Sequence, residues 1–420
     1  MGPTDIIEET LPNAGEADRL LEQLLTFPPE DPYPLFARVR EIAPIYRRPG
    51  GVWTLARYED IAVALRDPRF IRDWRDMARR QFGEDVDLDR PLITNRRWNF
   101  SQINPPEYMR KRSVYGKFLT PAAVGKLRPQ LEQSANELLD AGAERGQIEM
   151  VAEFSYGMTL TLICGILGFP PPEGGAAQFL EWFRAFGDSF QPIVTDEILE
   201  EADAAILKLN DLMGDQLAKM RENPGDNLIS KLIAAEYDGA PLPDEEIISN
   251  AILLFGASVG TTADLISNTI VCLLQNPDQW ALLTKDPEGL AKGAVDESLR
   301  YDTSVTVNVP SRLATEDVEI AGVTIPAGDV VVPLFAAGNR DPKVFDNPDT
   351  FDITRKGLPS LSFGGGPHVC PGQHLARSQA EIAVRILATR YPNARLVDSN
   401  PERRTTAQQR GSGALHVQLA

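Results

Sequence analysis

One stretch of this 420-residue sequence concentrates chemistry: FGGGPHVCPG, Phe363 to Gly372, followed by QHLARSQAEIAVRIL. So many glycines at such close spacing make neither a helix nor an ordinary strand, so the segment reads as a tight loop feeding a helix that starts near Gly372. Cys370 then sits just before a helix N-terminus, where the dipole and unsatisfied N–H groups stabilise a thiolate. Glycines permit close approach to something flat or bulky, and they free amides to point at the sulfur and tune its donor strength. The competing reading is a small buried cysteine with no chemistry. At this composition, Phe363, Gly364, Gly366, His368, Cys370 and Gly372 recur at this spacing by chance about once in 10⁹ starts, which favours the reactive reading.

Other clusters are less specific. Glu297 and Arg300 in DESLRY lie one helical turn apart and, taken alone, read as a surface ion pair worth a few tenths of a kcal/mol. Arg110, Lys111, Arg112 and Lys117 form a basic cluster in an acidic protein: a solvated face, or a docking patch for an acidic partner. FGASVGTTADLISN places Thr261 and Thr262 beside Gly260 in a helical context, where glycine costs about 0.5–1 kcal/mol relative to alanine. Cys164 and Cys272 lie in apolar stretches and read as structural. Without a C-x-x-C pair, and with only His368, His374 and His416, a conventional zinc site has too few ligands.

The elements that position these residues are mostly helical. Leu127 to Gly146 and Asp196 to Met220 carry apolar residues at three and four spacing. Asp244 to Gln275 is the longest candidate, with Asp244 as N-cap and Asn276-Pro277 as the stop. At 1.5 Å per residue it runs roughly 45 to 50 Å, enough to cross the molecule. After Arg300 the β-branched runs, broken by prolines and Ala-Gly pairs, read as short strands, as do Ala43 to Tyr46 and Val52 to Ala56. The sum is α+β, mainly α-helical, with a small β region. No repeat or flexible linker divides it, so residues 1–420 read as one domain with a partly flexible N-terminal extension over 1–30.

Composition bounds the function. The chain is 43% hydrophobic and 24% charged, as a globular protein is. Its 60 acidic against 42 basic residues give −18, which disfavours binding to phosphate backbones. Three cysteines build no disulfide framework, no signal peptide is recognisable, and no run of about twenty uninterrupted apolar residues is present. The expectation is a cytoplasmic protein with neither a nucleic-acid nor a membrane partner.

The spacing F-G-x-G-x-H-x-C-x-G resembles the haem-thiolate loop of the cytochromes P450, and the likeness runs from DPYPLFARVR at Asp31 to the C-terminal strands. The soluble, ferredoxin-supported bacterial type is the most similar. The resemblance implies haem b (heme b, iron protoporphyrin IX) with Cys370 as its iron ligand, pushing electron density to favour O–O cleavage. The covalent C-x-x-C-H attachment is absent, so the haem is held non-covalently. In the family, E-x-x-R pairs with a later arginine to brace the cysteine loop, here Glu297, Arg300 and Arg355. Haem propionates are met by His368, by Arg312 in VPSRLA, and by an H-x-x-x-R helix, which here reads NPPEYMRKR. Arg112 is retained and Tyr108 replaces the histidine, keeping a hydroxyl but no charge. Phe363, Gly372 and Ala257 complete the positions facing the cofactor.

The central helix resembles A-G-x-[D/E]-T-T, with Thr261 as the hydroxyl that assists proton delivery. This sequence departs from that pattern at the acid, where it has Gly260, and at the preceding glycine, where it has Ser258. Three accounts stay open: water and a substrate group replace the acid, Asp264 helps from one turn away, or the enzyme runs peroxide-driven, coupling or desaturating chemistry. The substrate pocket by resemblance draws on the loop before the Asn104 helix, Phe179 to Ile193, Val305 to Asn308, and Arg410 to Gly413. The implied function is a monooxygenase that oxidises, chiefly hydroxylates, a small organic or natural-product substrate. The chain carries no flavin or iron–sulfur segment, so electrons come from a separate ferredoxin and ferredoxin reductase.

Overall fold

Short strands from distant parts of the chain assemble beside the loop. In the computed structural model, which describes residues 13–169, 176–191, 194–237, 239–308, 311–357 and 359–419, a five-stranded sheet runs β1-β2-β5-β4-β3. Its members are β1 (Ile45–Arg48), β2 (Val52–Leu55), β3 (Phe70–Ile71), β4 (Arg312–Ala314) and β5 (Val330–Pro333). β5 lies parallel to β2, with Val331 opposite Trp53, and antiparallel to β4. β3 closes the edge antiparallel to β4, with Phe70 opposite Ala314 and Ile71 opposite Leu313. Trp53, Leu55, Ile61, Leu65, Val331 and Phe335 bury one face of this sheet. Residues 1–12 of the expected N-terminal extension, and the last two of the Phe179 to Ile193 connection, lie outside the described residues.

The rest is mainly helix: α1 (Glu107–Gly116), α2 (Pro121–Ala143), α3 (Tyr156–Leu167), α4 (Ala176–Asp188), α5 (Asp196–Glu222), α6 (Asp244–Gln275), α7 (Pro287–Tyr301) and α8 (Gln373–Arg390). The predicted α+β class with a small β region stands. α2 starts earlier than its periodicity indicates, because Thr120 accepts from the Ala123 amide and Pro121 fits the first turn. α6 has the predicted bounds, but Asp244 is not its cap. Pro243 holds that place, and Asp244 sits in the first turn, where it meets the positive end of the dipole and pairs with Arg221.

From Thr262 to Leu273 every residue of α6 is buried, and α3, α5, α7 and α8 pack around it. In this stretch Thr269 donates to the Leu265 carbonyl, and the Asn268 amide donates to the carbonyls of Asp302 and Arg410. Met150–Leu167 and Asp244–Gln275 are long and apolar enough, by length and composition alone, to cross a membrane, although neither is an uninterrupted apolar run. Both are mostly covered by protein, which accounts for their hydropathy as core helices. Near the C-terminus, β6 (Arg403–Thr405) and β7 (Arg410–Ser412) form an antiparallel hairpin against α6, with Arg404 opposite Gly411.

Candidate active site

Backbone hydrogen bonds set the cysteine loop. The Cys370 amide donates to the Phe363 carbonyl at 2.9 Å and Gly364 donates to Leu361 at 2.7 Å. Gly364 and Gly366 adopt φ of 70° and 65°, which side-chain-bearing residues resist. At Gly366 a Cβ would also lie 2.2 Å from the Leu65 carbonyl oxygen, so no other residue fits. Gly372 then leads into α8, and the amides of Gly372 and Gln373 point at the Cys370 sulfur. Burial raises the thiol's pKa, while those amides, Arg112 and Arg377 pull the other way.

Arg112 braces this loop from α1. Its Nη1 donates to the Val369 carbonyl at 2.5 Å, the Pro367 carbonyl at 3.3 Å and the Tyr108 hydroxyl at 2.5 Å. Tyr108 is buried and stacks on His368 with ring centroids 4.1 Å apart. Glu297 is likewise no surface pair. It is 3% exposed and accepts from Arg300 at 2.7 and 2.9 Å and from Arg355 at 3.1 Å. Arg300 also donates to the Asn339 carbonyl at 3.2 Å, and the Asn339 side chain holds the Leu361 amide and the Ser362 hydroxyl at the mouth of the loop. The three charged residues therefore meet, and they connect α7 to the chain entering Phe363.

Cys370 opens into a cavity lined by Phe363, His368, Arg312, Ala257 and Thr261, which the sequence singled out. Tyr108, Arg112 and Gly372 stand behind this lining. Arg72, which the sequence reading passed over, joins it. Register explains why: continuing the β3–β4 pairing by one residue sets Arg72 opposite Arg312, and opposed residues on an antiparallel pair share a face. Asn104 clamps both the amide and the carbonyl of Arg72 at 2.8 Å, and the Arg72 Nη1 donates to the Ser101 carbonyl at 2.8 Å.

Two buried guanidinium groups side by side repel, and the charges show it. Burial, then Arg72, pulls the Arg312 pKa down to about 9. Burial followed by Arg72, Arg312 and Arg112 pushes His368 down to about 2. The Nε atoms of Arg72 and Arg312 and the Nδ1 of His368 are buried without a hydrogen-bond partner in the protein. Anionic oxygens placed among them satisfy the donors and relieve the repulsion at once. A thiol cradled by amides, beside two buried guanidinium groups and a neutral imidazole that each keep one unpartnered nitrogen, fits a haem: Cys370 would hold its iron, and these nitrogens would meet its carboxylates. A second groove, of about 620 Å³ and lined by Lys292, Arg355 and Arg377 among others, does not include the sulfur.

Small residues and hydroxyls form the α6 wall. Thr261 Oγ1 donates to the Ala257 carbonyl at 2.7 Å, leaving its lone pairs to the cavity. Asp264 does not face that cavity. It is fully buried and accepts both bonds of Arg404 Nη2, at 2.7 and 2.9 Å. The basic cluster of α1 divides: Lys111 pairs with buried Glu246 at 2.8 Å, Arg112 serves the loop, Arg110 lies over the Tyr237 ring, and Lys117 is exposed.

Comparison with known proteins agrees with this geometry. The family model for cytochrome P450 matches residues 289–400, which hold most of α7, the brace and the cysteine loop. The chain is 34% identical over 366 residues to a vitamin D(3) 25-hydroxylase from Pseudonocardia autotrophica, covering 86% of this chain and 87% of that protein. It is 34% identical over 373 residues to the cytochrome P450 monooxygenase PikC from Streptomyces venezuelae, covering 87% and 85% respectively. Among solved structures, P450BioI in complex with a hexadec-9Z-enoic acid-ligated acyl carrier protein superposes with a TM-score of 0.86, at 31% identity, over 95% of this chain and 100% of that one. The fold and the site define a haem-dependent oxidoreductase. The chain belongs to the cytochrome P450 family and is an enzyme of its monooxygenase class.

Proposed function

We propose that this protein binds haem b in the Cys370 cavity and uses dioxygen to oxidise, chiefly hydroxylate, a small organic or natural-product substrate. The observation that carries the reading is the meeting of the Cys370 thiol with three unpartnered buried nitrogens, on Arg72, Arg312 and His368, in one cavity. When bound, the haem supplies an electron-rich, sulfur-ligated iron centre at which dioxygen is activated. The protein's part is to hold and to supply protons. Gly372 and Gln373 amides orient the sulfur, Arg72, Arg312 and His368 take the carboxylates, and Arg112 with Tyr108 keeps the loop in place. Thr261 Oγ1, fixed by the Ala257 carbonyl, receives and passes on a proton at the cavity wall. Electrons come from a separate ferredoxin and its reductase, in the cytoplasm.

The first test is the absorption spectrum of protein expressed with ample haem. A Soret band whose reduced, carbon monoxide-bound form carries the thiolate signature is expected, and its absence overturns the reading. Titrating that band with aromatic and natural-product-like compounds identifies the substrate class. A second reading, peroxide-driven, coupling or desaturating chemistry, is favoured by one observation, the lack of an acid at Gly260. Turnover on peroxide without a reductase, unaffected by Thr261→Ala, is its signature.

A further inference from the structure

We propose that the Tyr156 hydroxyl and the Asp264 carboxyl form a proton path from solvent at Arg404 to the gap beside Gly260 and on to Thr261. This rests on the oxygen-activating function proposed above and says where that chemistry obtains its protons.

Reducing dioxygen consumes protons, yet the described lining of the Cys370 cavity holds two arginines, a histidine, hydroxyls, the Asn308 amide and apolar groups but no carboxylate. Asp264 is the acid one turn along α6 from Gly260, on the same side of the helix. At Gly260 a Cβ would fit without strain and would find as its nearest neighbour the Tyr156 hydroxyl, at 4.0 Å. With no side chain of its own, Gly260 leaves the Tyr156 hydroxyl as the polar group beside this turn of α6.

Tyr156 reaches this point from α3, and its pKa is raised by burial and then by the charge of Asp264, with Arg404 opposing. The hydroxyl therefore lies within electrostatic reach of both members of the ion pair. Asp264 is fully buried, whereas the Arg404 side chain is 40% exposed, so the pair spans from core to solvent. The charged groups that face Asp264 are Arg404 and Arg403 from β6 and Asp302 after α7, and its own charge acts on Tyr156 from α3. Asp188, at the end of α4, acts on Arg404. Burial outweighs the arginines and lifts Asp264 to about 6, where a carboxyl gains and loses protons readily near neutral pH.

The step moves protons only. Asp264 gives its proton to Tyr156 Oη, which releases its own across the gap to Thr261 Oγ1, and Thr261 passes its hydroxyl proton into the cavity. Solvent beside Arg404 reprotonates Asp264, and no electron changes place. A purely structural role for Asp264, tying the β6–β7 hairpin to α6 through Arg404, is the rival account. The close fit of Gly411, where a Cβ would lie 2.0 Å from the Asp264 Oδ1, is common to both.

The test uses haem-loaded enzyme without substrate, driven by a surrogate plant-type ferredoxin and its reductase, and follows dioxygen consumption, its solvent deuterium isotope effect and its pH profile. Wild type is expected to slow as the pH rises through about 6, since the protonated carboxyl is the donor. Asp264→Asn and Tyr156→Phe, with unchanged haem content and melting temperature, are each expected to lower the rate about tenfold or more and to remove that inflection. Asp264→Asn with Tyr156→Phe should be no worse than either alone, because the two act in series. Gly260→Glu is expected to restore the rate in the Asp264→Asn background. Infrared difference spectra supply a readout independent of turnover: a carboxylic C=O band lost in Asp264→Asn should shift in Tyr156→Phe. Unchanged rates and isotope effects in both single variants, or a carboxyl band indifferent to Tyr156→Phe, would overturn the path. A wild-type protein with no Soret band would instead overturn the function on which it rests.

Discussion

The cysteine-loop wall of the cavity is held by charge and by backbone hydrogen bonds, whereas the α6 wall facing it offers small residues and hydroxyls. On the loop side Gly364 and Gly366 sit in conformations that other residues resist, and Arg112, Arg300 and Asn339 secure the surrounding carbonyls and amides. Three nitrogens there still lack a partner. On the α6 side Thr261 is satisfied within its own helix, Gly260 leaves space, and the one nearby acid is turned into the protein. A wall that must hold a charged cofactor is over-determined before the cofactor arrives. A wall beside which bonds break is left open, with its titratable groups one layer behind.

Substitutions that separate holding from chemistry test this contrast. Cys370→Ser should abolish the thiolate signature and all dioxygen-dependent turnover, the largest effect expected; a retained signature would refute the loop wall's role. Glu297→Ala leaves the guanidinium groups of Arg300 and Arg355 without their buried partner, and about 3–5 kcal/mol of stability should be lost in urea unfolding, together with haem retention. Thr261→Ala should leave haem binding and melting temperature near wild type and reduce reductase-driven turnover by about 10²-fold, with more peroxide released per dioxygen consumed. Equal losses of haem and turnover would show that the α6 wall also holds.

Arg72→Gln sharpens the comparison from the loop side. A charge-assisted hydrogen bond is worth about 1.5–3 kcal/mol, so haem transfer to apomyoglobin should run about 10- to 150-fold faster while the thiolate signature persists. Tyr108→Phe removes only the hydroxyl that Arg112 holds, and the smallest acceleration is expected there, in keeping with about 0.5–1.5 kcal/mol for one such bond. If Tyr108→Phe releases haem faster than Arg72→Gln, the Tyr108 hydroxyl holds the cofactor more firmly than the Arg72 charge does, and the contrast drawn on the loop side fails.

Residues in short local patterns were readable. Cys370, His368 and the flanking glycines announce their loop because backbone conformation, sulfur chemistry and helix start all fall within one short segment. The bounds of α6 were equally legible, since a long apolar helix with a proline stop has few alternatives. Arg72 was not legible. It sits among other arginines in an unpatterned segment, and only the pairing of β3 with β4 selects it by setting it against Arg312. Within those bounds only the N-cap of α6 was misread, because Pro243 takes the cap position and leaves Asp244 in the first turn.

Local spacing by itself therefore determined the cysteine loop and the mainly helical class, because each depends on interactions between residues a few positions apart, while Thr261 was singled out by the family resemblance. Which cations gather around the cavity, whether Glu297 is exposed or buried, and where Asp264 turns were decided by tertiary structure alone. Strand register and helix packing bring together residues far apart in the chain, and burial then sets what their charges cost.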